Sequence, residues 1–528
     1  MPEKPNPSWR KNASEDGEAR RRIGSQNHPG GCILRIGGRF DLAWAKEFLQ
    51  TRRLFVVILA MGLFAMAARP VTDPDVWWHL RTGQLILETH KLIGSDPYSF
   101  TRSGQPWVDH EWLTQILMFG LYRLAGWGAL VTAFSAVIAA ALFLVFVRSP
   151  GHPYIAGVVT LWGAFASIPS WGVRPQMLTF LFASVLLLIL ELSDKHPHLL
   201  WCLPPLMLLW VNLHAGYATG IALLALFLVG DMLDASVGFD SWSIVRARLK
   251  MRATILGLCL AVIPLNPYGW SMYRYPFETL QSRAMQSYIG EWLSPDFHQG
   301  KYAPALLLVL ATLVLPALSP RQLRPREILL LLTVTFAAFR SVRHIPIYIL
   351  VTVPIVAALT EAWFGQNSLA KRWAAAATLT QPKLVVNAVL LAGFLAFTVA
   401  RLTYVTGRQP ETERTSFPEE AAEFLLAQPT LGPVLNHYNW GGYFIWKLYP
   451  HYAVYIDGRA DVYGDSFMDD FASTYYLQGS SWRGPLLRWG IRTIVMPPDA
   501  PLIVALRATP EWKAVYAGPQ AVILTRAQ

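Results

Sequence analysis

The feature that most constrains this chain is a series of apolar runs, each close to the length that crosses a lipid bilayer. About 20 consecutive apolar residues span the hydrocarbon core as a helix, which satisfies its own backbone hydrogen bonds. With 53% hydrophobic and 15% charged residues among 528, the chain predicts a polytopic α-helical membrane protein with about eleven transmembrane helices. The runs cover residues 53–70, 128–147, 154–170, 177–193, 199–213, 217–235, 252–265, 301–317, 328–340, 345–363 and 383–402.

Clusters of Lys and Arg predict which loops face the cytoplasm, because cytoplasmic loops of membrane proteins are enriched in positive charge. If all these clusters lie inside, residues 112–127 follow the outer interface, 128–147 form a crossing, and the C-terminus is extracytoplasmic. We assign the net charge of +11 to these loops and expect no nucleic-acid partner. The clusters lie in the tail before residue 53 and in residues 243–252, 319–327 and 369–373.

The chain divides by composition into three parts. Residues 1–52 are polar, basic and rich in Gly and Pro, which predicts a disordered cytoplasmic tail. Residues 53–402 predict the transmembrane domain, with 71–127 as a large first outer loop of interfacial amphipathic helices. Residues 403–528 predict a small extracytoplasmic α/β domain, with "PEEAAEFLLA" as a helix and "GPVLNHY", "HYAVYIDG", "IRTIVMPP" and "PQAVILTR" as strands.

The stretch "DPDVWWHLRTG", residues 73–83, places acids and aromatics directly after the first apolar run. Asp73 before Pro74 is typical of a helix start, with Asp73 as N-cap, and Asp109 in "VDHEWL" is a second candidate N-cap. Capping explains these two acids as well as a functional role does. Val76, Leu80 and Leu87 then fall on one apolar stripe, which predicts a helix lying on the membrane surface.

Asp75 and Glu111 are harder to explain by structure alone. Each lies in the first turn of its predicted helix, where complementing the helix dipole contributes only a few tenths of a kcal/mol. A chemical role is therefore the favoured interpretation for Asp75, and for Glu111 it stands beside the structural one. Both acids have aromatic or imidazole neighbours in the sequence, namely Trp78, His79 and His110.

Cationic side chains at the outer ends of the predicted helices are candidates for binding an anion. Arginine suits a phosphate because its planar guanidinium donates two parallel hydrogen bonds. The alternative is interfacial snorkelling, which we favour for Arg343 but not for Arg174, since Pro175 fixes the chain direction beside it. The candidates are Arg174, Arg340, His344 and His214.

The first outer loop carries a resemblance to a known family. A transmembrane helix followed by an outer loop that opens with an acidic motif and continues as two amphipathic helices resembles the C-type (GT-C) glycosyltransferases. The spacing of residues 73–126 is similar to protein O-mannosyltransferases and aminoarabinose transferases, and to bacterial membrane proteins that share a "DPD-WWHL" loop. "DVWWHLR" also resembles the first-loop aspartate motif of oligosaccharyltransferase catalytic subunits, and residues 439–464 their tryptophan-rich acceptor motif in layout.

The resemblance implies inverting transfer of a sugar from a polyprenyl phosphate-linked donor to an extracytoplasmic glycan, lipid or protein acceptor, in a bacterial inner membrane. It implies catalytic roles for Asp75, Glu111 and Asp73, and donor-phosphate binding by the four cations named above. The second motif of the family is replaced here by Asp109-His110-Glu111, which changes its phosphate contacts. Residues assigned to the acceptor or substrate are Trp78, His79, Asp109, His110, Asp457 and Arg459.

Several alternatives stand beside this interpretation. Related transferases imply no cofactor, but Asp75, Asp109 and Glu111 offer the hard oxygen ligands that a divalent metal takes. Asp457 and Arg459, with Asp461 after them, follow a predicted strand and serve equally well as turn residues. A non-catalytic sugar- or lipid-binding assembly protein would keep the aromatics and tolerate loss of Asp75. A transporter would need charges or broken helices within the spans, where the sequence shows few.

Overall fold

A computed structural model describes residues 50–365, 381–428 and 431–527. The predicted N-terminal tail, except for its last residues, and the basic segment 369–373 lie outside this part of the chain. The domain boundaries predicted from composition stay predictions. Within the described residues the protein is mostly helical, with one small β-sheet near the C-terminus.

Every predicted apolar run coincides with a helix. The helices up to the end of these runs are α1 (Thr51–Ala67), α2 (Val76–Thr89), α3 (Trp112–Arg148), α4 (Pro153–Ser167), α5 (Gln176–Leu192), α6 (Leu203–Leu213), α7 (Tyr217–Ser236), α8 (Trp242–Ala261), α9 (Ser271–Gln281), α10 (Arg283–Tyr288), α11 (Ala303–Leu318), α12 (Pro325–Arg340), α13 (Ile345–Phe364) and α14 (Gln381–Gly407). In the described residues, five stretches are long and apolar enough to cross a membrane by length and composition, and the number of crossings stays a prediction. They are Trp112–Arg148, Tyr217–Ser236, Gly300–Leu318, Val342–Phe364 and Lys383–Gly407.

Helix α3 joins the predicted interfacial helix to the predicted crossing through a kink. Ala125 (φ −152°, ψ 33°) and Gly126 (φ 57°, ψ −146°) leave the helical conformation between the two halves. The dihedrals of Gly126 belong to a region that residues with a Cβ rarely adopt. The boundary predicted near residue 127 is therefore present as a break in direction.

Helix α2 is buried by protein on its apolar side. Trp77 contacts the rings of Trp127, Phe417 and Tyr443 edge-on at centroid distances of 5.1, 5.3 and 4.9 Å. Val76 and Leu80 are fully buried as well. The prediction that this stripe rests on the membrane surface was wrong for Val76 and Leu80, because α3 and the C-terminal residues, whose docking no local pattern reveals, pack on this side of α2. Leu87, further along the same stripe, is exposed.

The C-terminal segment combines short helices with a four-stranded mixed sheet in the order β1-β2-β4-β3. Strand β1 runs parallel to β2, and β4 is antiparallel to both β2 and β3. Its elements are α15 (Gln409–Ser416), α16 (Glu419–Leu426), β1 (Val434–Asn436), α17 (Gly441–Leu448), α18 (Ala460–Tyr476), α19 (Gly484–Arg488), β2 (Thr493–Met496), α20 (Pro501–Arg507), β3 (Trp512–Ala517) and β4 (Val522–Arg526).

The predicted strand "HYAVYIDG" does not form. Val454 makes only an isolated bridge opposite Ser99, and side chains bond to the backbone that follows: Tyr455 N donates to Asn436 Oδ1 at 2.8 Å, and Asn436 Nδ2 donates to the Ile456 carbonyl at 2.7 Å. Thr101 of the first loop donates to the Tyr455 carbonyl at 2.6 Å. The segment is thus held between the sheet edge and the first loop, which brings the residues after it to the site described next.

A buried network of opposite charges lies where α7, α8 and α12 meet. Asp231 and Asp234 of α7 are fully buried, and Asp231 pairs with Arg252 and, at 3.0 Å, with Arg326. The spans therefore contain more buried charge than the sequence suggested. None of these four residues lines the cavity described below.

Candidate active site

A cavity of about 1000 Å³ lies between the first loop (residues 71–127), several helix ends and the C-terminal segment. Most of the residues singled out from the sequence line it, although they come from distant parts of the chain. Arg340 and Asp457 do not line it. The lining includes Asp73, Asp75, Trp78, His79, Asp109, His110, Glu111, Arg174, His214, His344 and Arg459.

Asp75 occupies the N-cap of α2, two residues later than the N-cap predicted at Asp73. Asp73 instead turns back, and its Oδ1 accepts a hydrogen bond from Asp75 N at 2.8 Å. Oδ1 of Asp75 accepts from Trp78 Nε1 at 3.2 Å. Burial, reinforced by the negative charge of Asp73, raises the pKa of Asp75 to about 7. A carboxylate with that pKa is suited to general base catalysis near neutral pH.

Asp73 and Arg174 neutralise one another. The Arg174 guanidinium forms ion pairs with Asp73 through Nε and with Glu291 through Nη1. Two carboxylates therefore already hold the arginine that the sequence favoured for phosphate binding. Glu291 was not predicted; it lies in a connecting segment whose approach to Arg174 is fixed only by the tertiary fold.

Three imidazoles surround Glu111. Its carboxylate oxygens lie 3.5 Å from His79 Nε2, 3.3 Å from His110 Nε2 and 3.3 Å from His214 Nε2. Burial acts to raise the pKa of Glu111, but His110 and His79 outweigh it and hold that pKa below its usual range. Glu111 is thus a persistent carboxylate that organises its neighbours, and it is less suited than Asp75 to accept a proton.

The histidines differ in protonation. His214 Nδ1 accepts from Gly216 N at 2.9 Å, so its proton lies on Nε2, which points to Glu111. Burial lowers the pKa of His214 to about 3 and that of His79 to about 4. Burial also acts against protonation of His110, but the Glu111 carboxylate overcomes it and raises the His110 pKa. His110 is therefore the member of this group that carries charge most readily.

Two further acids lie beside His110: Asp109, which is buried, and Asp461, which is half-buried. Asp109 does not cap α3, because Glu111 occupies the N-cap; its Oδ1 instead accepts from Gln115 Nε2 at 2.6 Å. Burial raises its pKa to about 7. Asp461 Oδ2 accepts from the Tyr275 hydroxyl at 3.2 Å, and burial raises its pKa. The two acids thus add to the polar wall around the histidines.

Arg343 is the cation that the sequence interpretation assigned to interfacial snorkelling and left out of the phosphate site. Its side chain lines the cavity with its guanidinium 5.2 Å from the Trp292 ring centroid, and among the described residues no carboxylate oxygen lies within 4.0 Å of it. Arg340, which the sequence preferred, is exposed and donates to Gln286 at 2.7 Å. His344 lines the cavity, but its buried Nδ1 has no hydrogen-bond partner within the part of the chain that the structure describes. The position of Arg343 just before the start of α13 was the available signal.

Asp457 and Arg459 stabilise the turn at Gly458 by bonding to one another. Arg459 donates through Nε to Asp457 Oδ1 at 2.8 Å and through Nη2 to Oδ2 at 2.6 Å. It also pairs with Asp96 of the first loop at 2.8 Å, an acid that the sequence interpretation left out. This geometry favours the turn role over contact with an acceptor.

Among the described residues, no group of three or more His, Cys, Asp or Glu side chains is arranged to hold a metal ion. The expectation that the protein works without a cofactor stays a prediction, as does the alternative of a divalent metal. The acids near the cavity are instead engaged with arginines, histidines, amides and hydroxyls.

Comparison with family models finds no match for this sequence, and comparison with curated proteins finds none either. Solved structures do match. The apo oligosaccharyltransferase of Archaeoglobus fulgidus superposes with a TM-score of 0.52 at 10% identity, over 87% of this chain and 70% of that one. The same enzyme tethered to an acceptor peptide gives 0.51 at 11% identity, over 91% and 75%.

This chain has a GT-C-type glycosyltransferase fold. The resemblance seen in the first outer loop is thereby confirmed for the fold. A further match is ArnT from Cupriavidus metallidurans bound to undecaprenyl phosphate, with a TM-score of 0.47 at 14% identity, over 89% of this chain and 97% of that one.

Proposed function

We propose that this protein transfers a sugar from a polyprenyl phosphate-linked donor to an extracytoplasmic acceptor. One observation carries the proposal: a single cavity holds a half-buried carboxylate, Asp75, with a pKa near 7, and a guanidinium, Arg343, that has no described carboxylate oxygen within 4.0 Å. Inverting transfer needs this pair of groups, a base for the acceptor and a cation for the leaving phosphate. The GT-C-type fold supports the same chemistry.

In this mechanism the acceptor hydroxyl attacks the anomeric carbon of the donor. Oδ2 of Asp75, which has no hydrogen-bond partner among the described residues, takes the hydroxyl proton. The bond from the anomeric carbon to the phosphate oxygen breaks as the new glycosidic bond forms, and the polyprenyl phosphate leaves with the electron pair. Arg343 donates to the phosphate oxygens, where charge develops.

The surroundings of the cavity suit a lipid carrier. Leu280 and Leu293 line it and are 51% and 44% exposed, and Phe277 on the same helix as Leu280 is 65% exposed. Apolar side chains exposed at this mouth would contact the prenyl chain. The A. fulgidus oligosaccharyltransferase has been solved with an inhibitory peptide and a dolichol-phosphate, which is consistent with lipid-carrier and acceptor partners here.

The finer topology is part of the proposal. We place the protein in a bacterial inner membrane with eleven crossings, the N-terminus in the cytoplasm and the cavity outside. The four positive clusters are the basis for this orientation, and two of them, residues 243–252 and 319–327, contribute Arg252 and Arg326 to the buried charge network. The transporter alternative is not favoured, because the buried charges of the spans pair with one another away from the cavity.

The test is a transfer assay on the purified protein in lipid nanodiscs. Polyprenyl phosphates carrying different labelled sugars are offered together with a membrane extract as acceptor source. We expect labelled product from wild type and from Asp470→Asn, a half-exposed acid that pairs with Arg488 and does not line the cavity, but not from Asp75→Asn. A protein that binds carriers and transfers none of the sugars would instead be the non-catalytic binding protein.

A further inference from the structure

The C-terminal segment touches the proposed base directly. The turn Asp457-Gly458-Arg459 lies against the start of α2, and the Asp75 carboxylate sits over the Cα atom of Gly458. A Cβ atom added to Gly458 would overlap Asp75 Oδ1 and come within 2.8 Å of its Cγ. Ordinary contacts of a Cβ atom begin near 3.4 Å, so only glycine leaves room for the carboxylate at this place.

Residues on both sides of Gly458 keep this turn from moving away. Arg459 is buried, pairs with Asp457 and Asp96, and stacks over Trp107 at 4.6 Å from the ring centroid. The Tyr463 hydroxyl donates to Asp457 Oδ2 at 2.7 Å. Because the ion pair with Asp96 joins the turn to the first loop, the contact at Gly458 is held from both sides.

A second glycine of the C-terminal segment, Gly442, also packs closely against the start of α2. A Cβ on Gly442 would lie 2.5 Å from the Pro74 carbonyl oxygen and 3.1 Å from Trp78 Cδ1. Trp78 is the residue whose Nε1 donates to Asp75 Oδ1. The C-terminal segment therefore packs against both the carboxylate and its hydrogen-bond donor, and it does so through residues without side chains.

We infer that Gly458 is a positioning residue, which fixes the rotamer of Asp75 so that Oδ1 stays with Trp78 and Oδ2 faces the cavity. The inference rests on the proposed function, since it concerns the base of that reaction. It also gives the C-terminal segment a role in catalysis, as one wall of the catalytic centre.

The first experiment compares turnover of wild type, Gly458→Ala and Gly484→Ala in nanodiscs. Gly484 has open space around its Cα and a negative φ, so its alanine variant is the matched control. We expect Gly458→Ala to lower kcat by about 100-fold, the effect of a misplacement near 1 Å, with KM for the carrier within a few-fold of wild type. The low-pH rise in its kcat/KM profile should shift to higher pH, because the hydrogen bond from Trp78 that stabilises the ionised carboxylate is lost. Wild-type kcat in Gly458→Ala would overturn the inference.

The second experiment tests the contact without any activity. In a background with Cys32, Cys202 and Cys259 replaced, the pair Asp75→Cys and Gly458→Cys is oxidised gently and mapped by mass spectrometry. The short distance between the two positions fits a disulfide, whereas Asp75→Cys with Gly484→Cys should not cross-link. Failure of the first pair to cross-link sinks the positioning role. If the first pair cross-links but the wild-type protein transfers no sugar, the contact stands and the proposed function is wrong.

Discussion

At the scale of single residues, two acids separated by one proline have different environments. Asp73 is ion-paired with Arg174, whereas the Asp75 carboxylate, among the described residues, accepts one side-chain hydrogen bond, from Trp78, and has a pKa near 7. The sequence was enough to select both acids, because "DPD" at a helix start after an apolar run is a local pattern. It could not assign their partners, since Arg174 and Glu291 reach them only through the tertiary fold.

The pH dependence of the reaction should report Asp75. A base must be deprotonated to act, so kcat/KM should rise with pH up to about 7, the pKa of Asp75, and level off above it. Asp75→Asn should lose about 10²–10⁴-fold in kcat and lack this limb. The measurement is kcat/KM from initial rates over a range of pH. If Asp75→Asn keeps the same rise with pH, another residue is the base.

Asp73→Asn should shift the rise of kcat/KM with pH to lower pH. The negative charge of Asp73 raises the pKa of Asp75, and its removal also leaves Arg174 less neutralised, which favours the ionised Asp75. The measurement is the midpoint of the kcat/KM profile, with Asp470→Asn as the control that should not move it. A shift to higher pH would contradict this electrostatic account.

Arg343 should contribute more than Arg174 to the affinity for the polyprenyl phosphate carrier. Lysine keeps the charge but loses the two-pronged hydrogen bonding of guanidinium. We expect Arg343→Lys to weaken binding of polyprenyl phosphate by about 1.5–3 kcal/mol, the range for hydrogen bonds to charged groups. Arg174→Lys should weaken it less, since Asp73 and Glu291 already occupy that side chain. Carrier titrations in nanodiscs compare the two, and a larger loss in Arg174→Lys would restore the sequence-based assignment.

At the scale of elements, periodicity and length predicted the helices well, while the short C-terminal strands were less certain. Three of the four predicted strands formed, because their apolar residues pair in one sheet. The fourth, "HYAVYIDG", has the same apolar pattern but bonds to the Asn436 and Thr101 side chains. Local strand propensity cannot predict a hydrogen bond to a side chain 19 residues away along the chain.

The kink in α3 yields a stability prediction at this scale. Gly126→Ala meets no neighbouring atom within 4 Å, so its cost comes from the backbone conformation alone. We expect a loss of about 1–3 kcal/mol in the free energy of unfolding. Gly128→Ala, two residues on, also has open space and has a negative φ, so it should be neutral or stabilising. Thermal unfolding in detergent compares the two variants, and equal Tm values would contradict the argument.

At the scale of the whole molecule, the sequence indicated the class of fold but not how the ends of the chain meet. Asp96 and Arg459 form an ion pair across more than half the sequence, and no pattern at either site announces the other. Such long-range ion pairs bring polar motifs from distant parts of the sequence together around one cavity. The GT-C resemblance narrowed the choice of fold because the order of helix, acidic motif and amphipathic helices is itself a long-range property.

Topology is the prediction that tests the whole arrangement. If the basic clusters mark the cytoplasmic side, the C-terminal segment and the cavity lie outside, where a lipid-linked donor and its acceptor would meet. Alkaline phosphatase fused after residue 527 should therefore be active and a fluorescent protein fused there dark. Fusions within the loop after α7, near residue 240, should show the opposite pattern, since the basic cluster 243–252 follows directly. An active phosphatase at residue 240 with an inactive one at the C-terminus would invert the topology, place the Asp75 cavity in the cytoplasm and remove the extracytoplasmic acceptor from the proposal.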